Sequence, residues 1–341
     1  MKPWEIILLI VAIYVLIIFL YSLFVYLLVQ KTIARRMDKN PLFKYFTADD
    51  YIGLKATPLS FKNRKGVTLN GFVYEREDAL TNAVIVFFHG HAAGHLAYTT
   101  LINDLVTKTR YEVLTFDYMG CDLSEGKKMP NMSQALSDGH DFLAYIKTLD
   151  DYKDKPLILI GHSWGGYVAS NLYPLNKDKM IIKIVSINGL TDIALMFKKM
   201  ARAPFMFIPL YNTLTSFHYG KLAFKTTRKS IKDTPVPHLF IHGEKDDSVP
   251  LMPFVSSLVL QSDKHKRIKF HFESDRYHNV YLTKESELKL RDLLVLVKNH
   301  NRSKNKSETE KAILNFPFDE AVINDHKILS IIDDFIKESV S

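Results

Sequence analysis

The longest apolar segment of the chain lies near its N-terminus. Residues 6–29 contain no charged side chain, and at about 1.5 Å per residue a helix of that length crosses a hydrocarbon core of about 30 Å. A cleaved signal peptide is the alternative, but its apolar region is only about 7 to 15 residues long. Here the run is longer, and the basic segment 30–36 follows it. We therefore predict a flank at 1–5, a transmembrane helix at 6–29 and a juxtamembrane segment at 30–54.

Beyond this helix the pattern changes to short apolar runs that alternate with amphipathic segments. The alternating stretch 67–74 indicates an antiparallel edge strand before the series begins. The series predicts strands at 84–88, 113–116, 157–160, 181–185, 239–241 and 268–272, and helices near 96–106, 132–146, from 164, near 250–260 and at 285–297. This rhythm is typical of an α/β fold with a mostly parallel sheet and helices on both faces. We assign residues 55–300 to this domain.

Residues 190–235 interrupt the rhythm between two predicted strands, and they are too many for a simple connection. The segment mixes aromatic and aliphatic side chains with basic ones such as Lys198, Lys199 and Arg202. We predict a small helical cap. One interpretation is a cap that packs its apolar side on the site; the other is a lid that admits acyl chains and rests on anionic lipid head groups.

Residues 301–341 follow the predicted domain. Their first part, 301–307, is polar and basic and predicts a solvated linker. Further on, apolar residues recur at helical spacing and predict an amphipathic helix: Ile328, Ile331, Ile332, Phe335 and Ile336. Docking on the main domain is the expected role of this helix. Binding to a partner and lying on a membrane are the alternatives.

Charge and cysteine content narrow the classes of function. The 341 residues carry a net charge of +8 with a pI near 9.2, which suits an anionic membrane surface or nucleic acid. No nucleic-acid-binding motif accompanies this charge, so a membrane is the expected partner and nucleic acid is not. More basic residues follow the apolar helix than precede it, which predicts a single-pass protein whose main domain faces the cytoplasm. The lone cysteine, Cys121, excludes an internal disulfide.

The candidate chemistry begins in residues 157–166, where four apolar residues run into a Gly-X-Ser-X-Gly sequence. A buried strand followed by small residues at 161 and 165 allows a sharp turn that exposes the serine at the strand end. Ser163 is therefore the candidate nucleophile. A plain Gly/Ser turn between a strand and a helix is the alternative, and the partners of the serine decide between them.

A serine hydroxyl needs a base within hydrogen-bond reach and an acid that orients the base. Both are expected in loops after later strands, at the edge of the sheet where the serine emerges. Asp246 follows the strand 239–241 and is the candidate acid, while its neighbour Asp247 fits a helix cap. Of the histidines after Asp246, only His278 lies in a loop after a strand; the others are His265, His271, His300 and His326. His278 is the candidate base.

An oxyanion hole requires backbone N–H groups that point at the developing negative charge. The amide of Trp164, directly after the serine, is one candidate donor. The amide of His91, in the glycine-containing loop after the strand 84–88, is the other. No acidic or cysteine ligand at fitting spacing accompanies the histidines of this loop, so no metal and no cofactor is predicted.

The order Ser163, Asp246, His278 together with the His89-Gly90 loop and the elbow 161–166 resembles the α/β-hydrolase superfamily over residues 55 to 300. The N-terminal anchor makes the chain similar to membrane-anchored Bem46-like and serine aminopeptidase-type hydrolases. The resemblance implies a serine hydrolase, such as a carboxylesterase, lipase or thioesterase, acting on an acyl substrate that includes lipid esters or thioesters. A serine peptidase or acyltransferase with the same triad is one alternative, and a non-catalytic membrane scaffold is the other.

Overall fold

We describe the protein from a computed structural model, which describes residues 1–91, 94–176, 180–251, 267–303 and 306–338. The predicted helix near 250–260 and His265 fall almost wholly outside these ranges. Within them, an eight-stranded sheet forms the centre of the fold, with the strand order β1-β2-β4-β3-β5-β6-β7-β8. The strands are β1 (Lys55–Lys62), β2 (Thr68–Glu75), β3 (Leu80–Phe88), β4 (Tyr111–Phe116), β5 (Leu157–His162), β6 (Ile181–Ile187), β7 (His238–Gly243) and β8 (Ile268–Glu273).

The sheet is antiparallel at one edge and parallel elsewhere. β1 pairs with β2, and β2 with β4, in antiparallel fashion, whereas every pair from β4 to β8 is parallel. The described helices are α1 (Pro3–Ile33), α2 (Thr99–Thr109), α3 (Ser133–Ile146), α4 (Trp164–Asn176), α5 (Ile193–Met200), α6 (Phe207–Tyr219), α7 (Thr227–Lys232), α8 (Lys284–Arg302), α9 (Lys306–Leu314) and α10 (His326–Lys337). The predicted α/β class with a mostly parallel sheet is confirmed.

Side chains of the central strands alternate between two apolar cores, one on each face of the sheet. In β3, Val84, Val86 and Phe88 enter one core, and Ile85 and Phe87 enter the other. All are at most 1% exposed. Strands buried on both faces read as continuous apolar runs, which is why β3 and β5 are recognisable in the sequence.

The amphipathic helix α10 packs on the main domain beside α2, where its apolar side chains enter the second core. Lys183 of β6, only 3% exposed, donates hydrogen bonds through Nζ to the carbonyl oxygens of Phe335, Ile336 and Glu338. A cation is favourable at a helix C-terminus because the last carbonyls have no partner within the helix. The sheet thus holds the C-terminal end of α10 in place.

The described residues of the predicted linker at 301–307 are largely helical. α8 extends to Arg302, so His300 is helical, and α9 begins at Lys306. α8 and α9 pack against each other, and a small apolar cluster forms around Leu293, Ile313 and Phe318. Their polar outer faces explain the solvated appearance of this stretch in the sequence.

Helix α1 is long and apolar enough to cross a membrane by its length and composition, which a signal sequence can share. Its last turns differ from the predicted span, because Ser22, Val25, Val29 and Ile33 form a buried face. Next to this face, the ring of Tyr26 meets Tyr211 of α6 edge to face at 5.7 Å. One face of the segment 22–29, which is predicted to lie in the membrane, therefore packs against the protein, while Phe24, Leu27 and Leu28 on its other side are exposed. Residues 3–21 are almost wholly exposed and would span about 28 Å.

Candidate active site

The sharp turn after β5 exposes a serine at the carboxyl edge of the sheet. β5 ends at His162 and α4 begins at Trp164, so Ser163 alone makes the turn, with a φ of 55°. Its amide donates to the carbonyl oxygen of Ile187 at 2.8 Å. Gly165 lies so close to β3 that a Cβ there would be 1.9 Å from the carbonyl oxygen of Phe88. Close packing on β3 thus explains one of the two glycines of the motif.

The three side chains predicted to act together lie within hydrogen-bond distance of one another. The Oγ of Ser163 is 2.8 Å from Nε2 of His278, and Nδ1 of His278 is 2.8 Å from Oδ2 of Asp246. Ser163 and Asp246 are 8% and 4% exposed, and His278 is partly exposed. With a neutral imidazole, the serine hydroxyl donates to Nε2 and the Nδ1–H donates to the carboxylate. This geometry suits a nucleophile, a base and an orienting acid.

Asp246 lies in a shell of donors that keeps its carboxyl group ionised. The amides of Ser248 and Val249 donate to Oδ1, each at 2.8 Å, and Nδ2 of Asn188 donates to Oδ2 at 2.7 Å. Burial raises the pKa of Asp246, but the hydrogen bond and charge of His278, together with the amide of Val249, outweigh it and hold the pKa below its ordinary value. The sequence analysis does not identify Asn188. Its position directly after the buried strand β6 is the feature that could have indicated it.

The loop that carries His278 is fastened by a buried ion-pair network that sequence reasoning also missed. Arg276, 5% exposed, donates to the carboxylates of Glu287 and Asp325 at 3.2 and 2.9 Å. Glu287 is fully buried and also accepts hydrogen bonds from the amides of Tyr277 and Asn279, on either side of His278. Glu287 of α8 therefore holds the backbone on both sides of His278, the predicted base.

Replacement of Arg276 by methionine is expected to lower the free energy of unfolding by about 3 to 5 kcal/mol, because it leaves Glu287 buried without its counter-charge. Arg110→Met is the matched control: the Arg110–Asp78 pair is half exposed on both sides and such pairs contribute about 1 kcal/mol at most. Denaturant unfolding of the full chain in detergent measures both. Equal losses in the two variants would contradict the structural role of Arg276.

A chain of hydrogen bonds links the two loops that flank the serine. The amide of Gly90 donates to the hydroxyl of Tyr98 at 3.1 Å, and that hydroxyl lies 2.9 Å from Nδ1 of His162. The Nε2 of His162 lies 2.9 Å from the carbonyl oxygen of His278 and donates to it. Burial lowers the pKa of His162 to about 3, so its ring is neutral near pH 7. A neutral ring accepts from Tyr98 and donates to the loop of His278.

The two predicted oxyanion donors lie in the elements from which they are expected. Trp164 is the first residue of α4, so its amide is among the N–H groups without a partner inside the helix. His91 borders the same cavity as Ser163 and His278. Gly90, before it, approaches the serine so closely that a Cβ there would be 3.4 Å from the Cβ of Ser163. The arrangement brings the loop after β3 beside the predicted nucleophile.

A cavity of about 610 Å³ opens beside Ser163. Its described lining comes from the juxtamembrane segment, the start of α2, the His278 loop, α8 and the residues just before α10, and includes Arg35, Phe43, Phe46, Leu96, Tyr98, Leu101, Tyr281, Leu290, Leu293, Leu294, Val297 and Val322. Aromatic and aliphatic side chains predominate. Such a lining accommodates an apolar group next to the serine.

None of the described residues that line this cavity comes from the predicted cap at 190–235. The segment does fold into short helices, α5 to α7. α6 packs on α1 and α3, and α7 on α4. Met196 and Met200 of α5 border a different cavity, with Asp247 and Val249. The apolar side chains of this segment thus cover the helix layer on one face of the sheet.

Comparison with known proteins agrees with the fold. The sequence model of a family described as serine aminopeptidase, S33, matches residues 80–217. The uncharacterized protein YfhR of Escherichia coli is 24% identical over 251 residues, covering 70% of this chain and 83% of its own. The AB hydrolase superfamily protein YfhM of Bacillus subtilis is 29% identical over 128 residues, covering 38% of this chain and 42% of its own.

Among solved structures, esterase Pf2001 of Pyrococcus furiosus superimposes with a TM-score of 0.55 at 18% identity, over 78% of this chain and 95% of that one. At this identity the likeness concerns the fold. The sheet order, the serine at the turn after β5 and these matches define the class by its fold: the chain has the α/β-hydrolase fold. The family match and the esterase neighbours together support a serine hydrolase.

Proposed function

We propose that this enzyme is a membrane-anchored hydrolase that cleaves a carboxylic ester or thioester of an apolar acyl chain through an acyl-enzyme. The observation that carries the proposal is the hydrogen-bonded series Ser163, His278 and Asp246 at the wall of an apolar cavity. A nucleophile, a base and an acid at these distances suit acyl transfer. The cavity suits the acyl chain.

In the acylation step, the Oγ of Ser163 attacks the acyl carbon while Nε2 of His278 takes the hydroxyl proton. The carboxylate of Asp246 holds the imidazole in the productive tautomer and stabilises its positive charge. The amides of His91 and Trp164 bind the negative oxygen of the tetrahedral intermediate. His278 then donates its proton to the departing alkoxide or thiolate, and the alcohol or thiol leaves.

In the deacylation step, water attacks the acyl-enzyme in place of the alcohol. His278 removes a proton from the water, and the bond between the acyl carbon and Oγ breaks. Ser163 regains its proton from His278, and the carboxylic acid is released. Each cycle consumes one water and one ester, and the enzyme returns to its starting state.

The proposed location is a membrane that α1 crosses once, with the hydrolase domain on the cytoplasmic side. The length and apolarity of α1 support the anchor. The basic residues that follow the helix, more numerous than those before it, support the orientation. Packing of the last turns of α1 on α6 would keep the domain at the membrane surface.

A second candidate function is peptide hydrolysis, which the description of the matching family favours. The full chain in detergent should therefore be assayed with p-nitrophenyl esters of increasing acyl length and with aminoacyl p-nitroanilides. We expect ester hydrolysis whose kcat/KM rises with chain length, by up to about fourfold per methylene that the cavity buries. Faster hydrolysis of the anilides would favour the peptidase.

Labelling with a fluorophosphonate distinguishes an enzyme from a scaffold. We expect a covalent adduct on Ser163, located by mass spectrometry of the digested protein. A chain that neither hydrolyses any of these substrates nor takes the label would be a non-catalytic scaffold.

A further inference from the structure

The cavity wall contains a cation from the segment that joins the membrane helix to the domain. Arg35 lies two residues after the end of α1 and borders the cavity together with Ser163 and His278. Two other charged residues of this segment, Asp38 and Lys44, border it too. A ligand in the cavity therefore meets the charges of Asp38 and Lys44 as well as that of Arg35.

Among the described residues, Asp38 and Lys44 each have a charged partner, whereas the guanidinium of Arg35 has none. The carboxylate of Asp38 forms an ion pair with Arg36, 2.7 Å from its Nε, and Nζ of Lys44 lies 2.7 Å from the carboxylate of Asp319. In the part of the chain that the structure describes, the guanidinium of Arg35 makes no hydrogen bond or ion pair. Its positive charge is therefore available to a ligand in the cavity.

The backbone around Arg35 is fastened to the domain, so the side chain starts from a fixed position. The carbonyl oxygen of Arg35 accepts from the amide of Met129 at 3.0 Å, and the amide of Met37 donates to the carbonyl oxygen of Gly120 at 2.9 Å. Arg36 donates through its guanidinium to carbonyl oxygens of the loop 122–126. The neighbouring arginines thus differ in role: Arg36 fastens the segment, and Arg35 borders the cavity.

The distribution of polarity in the cavity determines which ligand fits. Leu290, Leu293, Leu294 and Val297 give α8 an apolar surface along one side. Arg35, by contrast, lies close to the loop in front of the serine: desolvation lowers the pKa of the His91 ring, and the nearby charge of Arg35 lowers this pKa further. An amphiphile with an acyl chain and a negative charge near its ester group matches both features.

We propose that Arg35 binds an anionic group, a phosphate or a carboxylate, in the alcohol part of the substrate. A guanidinium presents two parallel N–H donors to either oxyanion. The acyl chain lies along α8, so the anion belongs to the part that leaves after acylation. This inference rests on the proposed ester hydrolysis and specifies its substrate class: single-chain acyl esters with a charged head group.

The test compares octanoyl esters of glycerol, glycerol 3-phosphate and glyceric acid, in neutral detergent so that no lipid charge contributes. Arg35→Ala should lower kcat/KM for the two anionic esters on the order of 10- to 100-fold and leave the glycerol ester unchanged. Lys39→Ala, which removes a cation of the same segment outside the described cavity lining, should change none of them. The anionic ester whose kcat/KM falls more in Arg35→Ala, the phosphate or the carboxylate, carries the preferred anion.

An equal loss on neutral and anionic esters, or no loss at all, would overturn the role of Arg35. Binding of 1-O-octylglycerol 3-phosphate, an ether that cannot be hydrolysed, tests the anion site independently of catalysis. The wild-type chain should bind this ether more tightly than uncharged 1-O-octylglycerol, and Arg35→Ala should abolish the difference. If Arg35→Ala still binds the phosphate ether more tightly than the uncharged ether, the inference is wrong. If the two ethers bind as expected to both proteins but the wild-type chain cleaves no ester, only the proposed function is wrong.

Discussion

Replacement of Ser163 by alanine is expected to lower kcat for ester hydrolysis on the order of 10^4-fold or more. The variant loses the Oγ that lies 2.8 Å from His278 and so cannot form an acyl-enzyme. It keeps the candidate oxyanion amides and the cavity, which leave a small residual rate over water. Initial rates with the preferred p-nitrophenyl ester, together with loss of fluorophosphonate labelling, measure the effect.

Ser170→Ala is the matched control for this experiment. Ser170 lies on α4, two turns beyond the elbow, is fully buried, and its Oγ is 3.1 Å from Nε2 of His238. Removal of its hydroxyl disturbs a buried contact between α4 and the start of β7 without touching the proposed nucleophile, so hydrolysis should persist. Wild-type activity in Ser163→Ala would refute the assignment of the nucleophile.

Replacement of Asp246 by asparagine is expected to lower kcat on the order of 10^4-fold while the fold is kept. Oδ2 of Asp246 accepts from both His278 and Asn188, so an amide at this position removes an acceptor and favours the wrong tautomer of the imidazole. The charge that stabilises the protonated His278 is lost as well. Steady-state rates at a pH where the wild-type enzyme is fully active test the prediction.

The adjacent carboxylate offers the control. Asp247 is exposed and pairs with Arg291 on the surface, so Asp247→Asn should keep nearly all of the activity. A similar loss in both variants would mean that negative charge in this loop, rather than the bond to His278, supports catalysis. Activity retained in Asp246→Asn would exclude the residue as the orienting acid.

Local patterns in the sequence predict most of the sheet, for a physical reason. β3 and β5 are buried on both faces, so each strand contains a continuous apolar run and is recognisable from its own sequence. The helix packing of α10 could also be anticipated, because Ile328, Ile332 and Phe335 repeat at helical spacing. By contrast, the prediction of a linker at 301–307 rests on polarity alone. Polarity does not distinguish a linker from the exposed faces of helices such as α8 and α9.

The residues that support the candidate site were beyond local reasoning. Asn188 and Glu287 are ordinary polar residues in sequence, and only the folded chain brings them to Asp246 and to the His278 loop. Which segments line the cavity depends on such contacts as well. Nothing local in the segment 190–235 distinguishes packing on α1, α3 and α4 from packing over the serine.

The sequence by itself determined the fold class, the apolar N-terminal helix and the order of the three candidate catalytic residues, because each depends on short-range pattern or on position after a strand. Tertiary structure decided what surrounds them. Contacts between segments far apart in the chain set the walls of the cavity and the burial of one face at the end of α1. They also leave the guanidinium of Arg35 without a partner among the described residues. Such contacts depend on how apolar faces and charges from separate segments pack together, so they cannot be predicted from any one segment alone.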